Sequence, residues 1–293
     1  MSVIDVGSPE QAAQTWKTRH GDAGLLVVGH GTADAVGAEE TRTVARLAAG
    51  LLPGVPVELG FLEVIGPSID DACRALAARG CTSAVAAPLL LFTAGHARRD
   101  VPEALVEAAR THGIRVVQAE AFGCHPRIVE LSRRRRDDAL AGWPAVPPGE
   151  TATVMVGRGS SAADALEQLR AFSSAARGTG DDEPLGFGFV AAARPTLEEA
   201  LAEAVARQPR RIVVQPHLLF RGHVEQQVAD AVDRYSRLHP HVEWIVVPRL
   251  GADRLVAAAL VERATAAATA PAAGQTAAGG SFSAGKNVSP EPA

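Results

Sequence analysis

Two histidines and one glutamate follow apolar segments in the first half of the chain, and these residue types bind metal ions and transfer protons. His30 follows the run LLVVG, Glu63 follows the strand-like GFL, and His96 follows PLLLFTAG. Ligands of an open parallel sheet bind beyond the carboxyl ends of its strands. Three strand ends would therefore bring two imidazoles and one carboxylate to one rim. This ligand set suits a divalent first-row ion such as iron, cobalt, nickel or zinc.

Each of these residues also has an ordinary structural explanation. A single histidine after a strand is commonly a turn residue, and Glu63 alone could cap a helix or form a surface ion pair. The coincidence of all three at one predicted rim favours a functional site over three unrelated structural roles.

The chain contains the same pattern twice. LLVVGHGTAD, which begins at residue 25, matches TVMVGRGSSA, which begins at residue 153 (153 − 25 = 128). An internal duplication predicts two copies of one structural unit. The copies differ in their chemistry, because Arg158 aligns with His30 and Ala191 aligns with Glu63. The sequence therefore predicts a metal site in the first copy only.

Length and composition predict a soluble protein of about two domains. The 293 residues are 47% hydrophobic and 21% charged, and the net charge of −4 gives no general support for nucleic-acid binding. No apolar run reaches the roughly 18 residues of a membrane span, and the N-terminus lacks the pattern of a secretory signal. Three widely spaced cysteines fit neither a disulfide framework nor a zinc cluster. We therefore expect a reduced, cytoplasmic protein with no nucleic-acid or membrane partner.

Strand and helix signals alternate in both copies, which predicts an α/β fold with a parallel sheet and helices on both faces. In the first copy we expect strands at 25–29, 56–62, 83–92 and 114–120, and helices at 38–52, 67–79, 98–111 and 126–141. The expected segments are an N-terminal tail at 1–21, a first domain at 22–143, a proline-rich linker at 144–149, a second domain at 150–263 and a disordered tail at 264–293.

Three segments of the first copy resemble the motifs of the class II chelatases, which insert a metal into sirohydrochlorin in cobalamin and sirohaem biosynthesis. These segments are GHGTAD, FLEVIGPSIDDA and PLLLFTAGHARRDVPEAL, and the resemblance extends over about residues 22–262. The third is the most specific, because PLLLF, GH and the unit from Asp100 to Pro102 occur together. The resemblance implies two flavodoxin-like halves with four parallel strands each, a cleft between them for the macrocycle, and a metal bound by His30 and His96.

The chemistry of metal insertion explains these residue types. Insertion exchanges two pyrrolic protons for one divalent ion, and an imidazole with an ordinary pKa of about 6.5 can bind the ion or accept a proton. We assign His30 and His96 as metal ligands or bases, with Glu63 as a supporting carboxylate and second proton acceptor. Which histidine binds the ion and which takes the proton stays open. The metal, Co²⁺ or Fe²⁺, is then a substrate, and no permanently bound cofactor is expected.

A substrate with many carboxylates requires cations in the cleft, and arginine pairs with carboxylates through two parallel hydrogen bonds. The second copy supplies the candidates Arg158, Arg194, Arg221, His217 and His223. Each arginine could instead be a solvated surface charge, although Arg158 and Arg221 occupy strand-end positions equivalent to the metal motif.

The first motif departs from the family pattern. Thr32 and Ala33 stand where chelatases often have serine and arginine, which removes one possible carboxylate-binding cation.

Two alternatives to a chelatase remain. One is a metal or tetrapyrrole carrier (a metallochaperone) on the same scaffold, and the other is a fold relative that acts on another small anion. Retention of Glu63 with both histidines favours an enzyme, because a carrier needs no base. Iron, cobalt and nickel accept the same ligands, so the metal stays open. A monomer is expected to suffice, because the duplication supplies both halves of the cleft.

Overall fold

The computed structural model describes residues 7–92, 99–160, 164–177 and 185–268. The strands of this part of the chain are β1 (Gly24–Gly29), β2 (Val57–Phe61), β3 (Ser83–Pro88), β4 (Arg115–Gln118), β5 (Thr151–Gly157), β6 (Leu185–Phe189), β7 (Arg211–Pro216) and β8 (Glu243–Val246). The helices are α1 (Pro9–His20), α2 (Ala35–Leu51), α3 (Ile69–Ala78), α4 (Asp100–His112), α5 (Pro126–Leu140), α6 (Ala165–Arg177), α7 (Leu197–Ala206), α8 (His223–Leu238) and α9 (Arg254–Ala266).

The strands form two four-stranded parallel sheets, in the orders β2-β1-β3-β4 and β6-β5-β7-β8. The pairing is the same in both sheets, since Leu25 pairs with Val57 and Thr153 pairs with Leu185, each 128 residues later. The predicted α/β fold with two duplicated parallel sheets is therefore confirmed. In each sheet the order in which successive strands are added reverses between the first and third strands, and ligands of such sheets bind outside the carboxyl ends at this point.

Side chains on the two faces of the first sheet enter different cores. Leu26 and Val28 pack with apolar residues of α3 and α4, whereas Leu25 and Val27 pack with residues of α2 and α9. Helix α9 comes from the end of the second repeat, about 230 residues along the chain from β1. The sheet of the first repeat is therefore covered on one face by a helix of the other repeat.

The exchange is reciprocal, because α5 packs against the second sheet beside α6. Gln215 of β7 donates its amide hydrogens to the carbonyl and hydroxyl oxygens of Ser132 in α5, at 3.0 and 2.9 Å. The expected domains 22–143 and 150–263 are thus repeats in sequence but not independent packing units. Each repeat lends its last helix to the other, so neither core is complete without the other repeat.

Equivalent arginines fix the exchanged helices. Arg135 of α5 donates to the carbonyl of Leu250, and Arg263 of α9 donates to the carbonyl of Phe122, so both donors and both acceptors are 128 residues apart. Each arginine satisfies a backbone carbonyl in the segment after the last strand of the opposite repeat. Charged hydrogen bonds of this kind contribute about 1.5–3 kcal/mol when water is excluded.

A second pair of equivalent contacts has its acidic and basic residues exchanged between the two helices. His125 caps α5 and lies 3.2 Å from Glu262 of α9, whereas Asp253 caps α9 and accepts a hydrogen bond from Arg134 of α5. Glu262 also accepts from Arg127 at 2.6 Å and is almost fully buried. His125 is therefore a buried structural residue at the helix exchange and does not line the rim.

The expectation of an N-terminal tail at 1–21 is wrong for the residues of α1. Ser8 and Gln11 form a reciprocal capping box at its start, and Trp16 is fully buried, with its indole N–H donating to the carbonyl of Ala23 at 2.8 Å. This segment has little hydrophobic periodicity, because its other buried residues are Ala12, Ala13 and His20, none of which is a large apolar residue.

The expected boundary of the C-terminal tail at residue 264 is also wrong by three residues. Helix α9 continues to Ala266, and Ala264 and Thr265 are fully buried. The rest of that expectation, from residue 269 onward, falls outside the described residues. Among the described helices, none has the length and apolar character needed to cross a membrane.

Candidate metal site and interdomain cleft

The loops after β1 and β2 touch each other, and a glycine permits this approach. Gly31 has a φ of 101°, and a Cβ atom at this position would lie 2.0 Å from the carbonyl oxygen of Glu63. The backbone N–H of Glu63 donates to the carbonyl of His30 at 3.1 Å, which extends the strand pairing by one step. The two candidate residues are therefore adjacent because their backbones are hydrogen-bonded.

The side chains of His30 and Glu63 meet at this edge. His30 Nε2 lies 3.1 Å from Glu63 Oε1, and the side chains are 42% and 57% exposed. A metal ion and a large substrate can reach both groups. No cluster of three or more potential ligands is present among the described residues, which do not include His96 at 93–98.

The residue after Glu63 has an uncommon backbone conformation. Val64 has a φ of 70°, which is an outlier for a β-branched residue, and its side chain is 65% exposed. The N–H of Ile65 donates to the carbonyl of Glu63 at 2.8 Å across this tight turn. The turn leaves an apolar side chain on the rim next to the carboxylate. Ala192, at the equivalent position of the second repeat, also has a positive φ, of 53°.

The segment leading toward His96 is anchored in the opposite repeat. The strand expected at 83–92 ends at Pro88, and the apolar residues beyond it pack at the interface between the repeats. Phe92 packs against the cluster that contains Met155, and its ring centroid lies 5.0 Å from that of His217. The apolar run is therefore longer than the strand because its end serves the interface between the repeats.

His217 occupies a different environment from the one expected of a substrate-binding cation. Its side chain is 4% exposed and lies against the rings of Phe172 and Phe92, at centroid distances of 3.9 and 5.0 Å. Burial lowers the pKa of His217 to about 3, so the imidazole is neutral. His217 is therefore shielded from a carboxylate in the cleft and supplies no positive charge there, and its assignment to the substrate is corrected on this ground.

The loops of the second repeat have the same backbone arrangement as the loops that carry His30 and Glu63, but different side chains. Arg158 follows β5 and is exposed, and its carbonyl accepts from the N–H of Ala191 at 2.9 Å. A Cβ atom on Gly159 would lie 1.7 Å from the carbonyl oxygen of Ala191, the counterpart of the approach at Gly31. The same loops thus present a guanidinium and no carboxylate.

The remaining predicted cations differ in their contacts. Arg194 is exposed and pairs with Glu199. Arg221 Nε lies 3.4 Å from Oδ2 of Asp34, which caps α2 directly after the His30 loop. His223 is exposed at the first turn of α8, where the N-cap Gly222 supplies no side-chain cap. The structure thus places Arg221 and His223 together beside the first repeat, and places Arg194 in a surface ion pair.

A charged network that no sequence motif indicates joins the repeats next to this loop. Glu40 of α2 accepts from Arg249 Nε at 3.1 Å and from the backbone N–H of Arg221 at 2.8 Å. Arg249 also donates to Glu225 at 2.7 Å, and the hydrogen bond with Glu40 raises the pKa of Arg249 above its ordinary value. A cavity of about 510 Å³ lined by Arg221, His223 and Arg249 adjoins the network.

This fold and this edge define a class of protein: a duplicated α/β chain whose two parallel sheets share helices, with a His–Glu pair at one strand edge and an arginine at the equivalent edge. The CbiX family model matches residues 24–139 and again residues 152–267. The chain belongs to the CbiX family, and each match covers one repeat.

Named relatives span both repeats. The chain is 29% identical over 215 residues to the sirohydrochlorin ferrochelatase of Priestia megaterium, with 72% of this chain and 79% of the relative covered. It is 24% identical over 241 residues to the sirohydrochlorin cobaltochelatase of the same organism, with 82% and 78% covered. The solved structure of SirB from Bacillus subtilis with Fe³⁺ superposes with a TM-score of 0.69 at 26% identity, covering 83% of this chain and 94% of that chain.

Proposed function

We propose that this protein is a sirohydrochlorin chelatase that inserts Fe²⁺ or Co²⁺ into the tetrapyrrole. The observation that carries the proposal is the pair of exposed side chains 3.1 Å apart, His30 and Glu63, at the carboxyl edge of the first sheet. Membership of the CbiX family and relatives named for both metals support the same reaction. Iron and cobalt are the two candidate substrates, because imidazole and carboxylate accept either ion.

In the proposed reaction these residues bind the incoming ion and accept the protons that the macrocycle releases. His30 binds the incoming ion or accepts a pyrrolic proton through Nε2, and Glu63 is within reach of the same nitrogen. His96 is proposed as the second imidazole on the grounds of the sequence motif alone. The carboxylate adds negative charge beside the ion and provides a second proton acceptor. Once metal is in the ring, both protons have left to these acceptors and then to water.

The second repeat is proposed to hold the carboxylates of the substrate. Arg158 is exposed at the edge equivalent to the metal site, and among the described residues no ion pair involves it. Arg221 and His223 lie at the start of α8, which no side chain caps and whose positive dipole end favours an anion. Arg194 is exposed and would have to leave Glu199 to bind a substrate carboxylate, so of the proposed cations it is expected to contribute least to substrate affinity. Both walls come from one chain, so a monomer is sufficient for the proposed reaction.

A carrier on the same scaffold would bind metal or macrocycle once without turnover, so the decisive experiment counts turnovers. Purified protein is incubated with a large excess of sirohydrochlorin and with Co²⁺ or Fe²⁺, and the absorbance change of the macrocycle is followed. Many equivalents of product per chain support the chelatase. A change that stops at about one equivalent favours the carrier and refutes the proposal.

A further inference from the structure

An apolar side chain that the core does not use lies directly beside the proposed metal site. Val64 follows Glu63 on the loop after β2, and its side chain is 65% exposed. Leu62, two residues earlier, packs against the core of the first repeat, whereas no hydrophobic core cluster of the described chain contains Val64. Packing of the fold therefore does not explain a valine at this position.

The backbone of Val64 makes this residue type harder to explain by local structure. Its φ of 70° lies in the left-handed region, which disfavours residues with a Cβ atom and β-branched residues most strongly. The N–H of Ile65 donates to the carbonyl of Glu63 at 2.8 Å, which closes a γ-turn around Val64. Glycine would adopt this turn without strain. Strained backbone conformations cluster at catalytic and ligand-binding sites, which favours a functional role for the valine side chain.

The second repeat shows that the turn itself does not require valine. Ala192 is the counterpart of Val64 (192 − 64 = 128), and it is exposed with a φ of 53°. It follows Ala191, the counterpart of Glu63. Both repeats therefore form a left-handed turn here, and the larger apolar side chain is present only in the repeat that carries the His–Glu pair.

The position of Val64 places it within reach of a large ligand of that pair. The Cα atoms of Glu63 and Val64 are about 3.8 Å apart, the spacing of neighbouring residues. The side chain of Glu63 lies 3.1 Å from that of His30. A tetrapyrrole whose central nitrogens receive the ion at this pair extends beyond the pair on every side, since four pyrrole rings surround the centre. Its flat ring system is apolar, whereas its acidic groups lie on the periphery.

We propose that Val64 contacts the ring system of the substrate and positions the centre of the macrocycle over His30 and Glu63. The inference rests on the proposed function, because it concerns the same site. Its methyl groups leave water when the ring packs on them, and burial of apolar surface favours binding. A β-branched side chain on a tight turn has few rotamers, so little freedom is lost in the contact. Val64 thus provides an apolar contact beside the groups that bind the ion and accept protons.

A substitution that changes polarity and keeps shape tests the contact. Val64→Thr replaces one methyl group by a hydroxyl and keeps the β-branch, so the melting temperature should not change. The dissociation constant of metal-free sirohydrochlorin, measured by absorbance titration, should rise roughly tenfold, the loss expected for one apolar side chain. KM should rise with it while kcat stays within about twofold of wild type, because a contact made equally with the bound substrate and the transition state changes KM alone. Val64→Ile keeps an apolar β-branched side chain and should bind as wild type does.

A second variant and a matched control complete the test. Val64→Gly removes both the side chain and the strain, so it should weaken sirohydrochlorin binding without lowering the melting temperature. The control Val106→Thr makes the same change at a valine of α4 that is 69% exposed, and it should leave the affinity unchanged.

The outcomes separate this inference from the proposed function. Unchanged affinity in both Val64→Thr and Val64→Gly, in a wild-type background that turns over sirohydrochlorin, overturns the contact and leaves the proposed function standing. A clear fall in the melting temperature of Val64→Thr assigns Val64 to the fold and also overturns it. A wild-type protein that neither binds nor turns over sirohydrochlorin refutes the proposed function, and this inference with it.

Discussion

Replacing Glu40 with alanine should destabilise the whole chain, because Glu40 connects α2 of the first repeat to two arginines of the second. Its side chain is 16% exposed and accepts hydrogen bonds from Arg249 and from the backbone N–H of Arg221. Loss of one partner from a buried ion pair costs about 3–5 kcal/mol. Arg249 keeps Glu225 at 2.7 Å and is 23% exposed, so its charge stays paired. We therefore expect a smaller loss, of about 2–3 kcal/mol in the free energy of unfolding.

The matched control is the preceding residue of the same helix. Glu39 is 56% exposed and pairs with Arg46 at 2.7 Å, so Glu39→Ala should change stability by less than about 0.5 kcal/mol. Urea denaturation at low salt gives the free energy of unfolding of both variants under conditions in which the charges are little screened. Because each repeat lends a helix to the other, one cooperative transition is expected. Equal stability of the two variants, or loss of only one of two separate transitions in Glu40→Ala, would refute the reasoning.

Three further predictions follow from the site and the interface. Glu63→Gln should lower the insertion rate more than it raises KM for sirohydrochlorin, and a normal rate with a raised KM would move Glu63 to the substrate. Gly31→Ala should abolish insertion, because its Cβ would lie 2.0 Å from the carbonyl of Glu63, whereas Gly159→Ala has an equivalent clash in the second repeat and should leave metal binding intact. His217→Leu should make the protein less sensitive to acid. The folded pKa of His217 is about 3 and its ordinary value is 6.5, so between these pH values the unfolded chain binds a proton that the folded chain does not. Stability then falls with falling pH by about 1.4 kcal/mol per unit in wild type, and denaturation curves of His217→Leu should lack this contribution.

The repeat, the sheets and the His–Glu edge could be predicted because each has a local signal. Short apolar runs ending in glycine specify buried parallel strands, and strand ends in one sheet meet at one edge. His30 and Glu63 are close for this reason. The helix exchange has no such signal, because the apolar residues of α5 and α9 show that these helices are covered and do not show which sheet covers them.

His217 shows why equivalence within a duplication can mislead. It stands at a strand end, where an isolated domain would expose it, and its counterpart in the first repeat is Leu89, which is buried. The two repeats pack against each other at these strand ends, so both positions become interior. The tail expected at residues 1–21 is wrong for another reason: Trp16 is the one large apolar residue among the buried residues of α1, so the segment has little hydrophobic periodicity.

The most direct test of the central claim compares equivalent positions of the two repeats in the insertion assay. His30→Ala and Arg158→Ala remove an exposed side chain at the same backbone position in each sheet. His30→Ala should abolish metal-dependent turnover of sirohydrochlorin with either Co²⁺ or Fe²⁺, with the melting temperature unchanged. Arg158→Ala should raise KM for sirohydrochlorin and leave metal affinity as in wild type. Near-normal turnover in His30→Ala, or loss of metal affinity in Arg158→Ala, would contradict the assignment of metal chemistry to the first repeat.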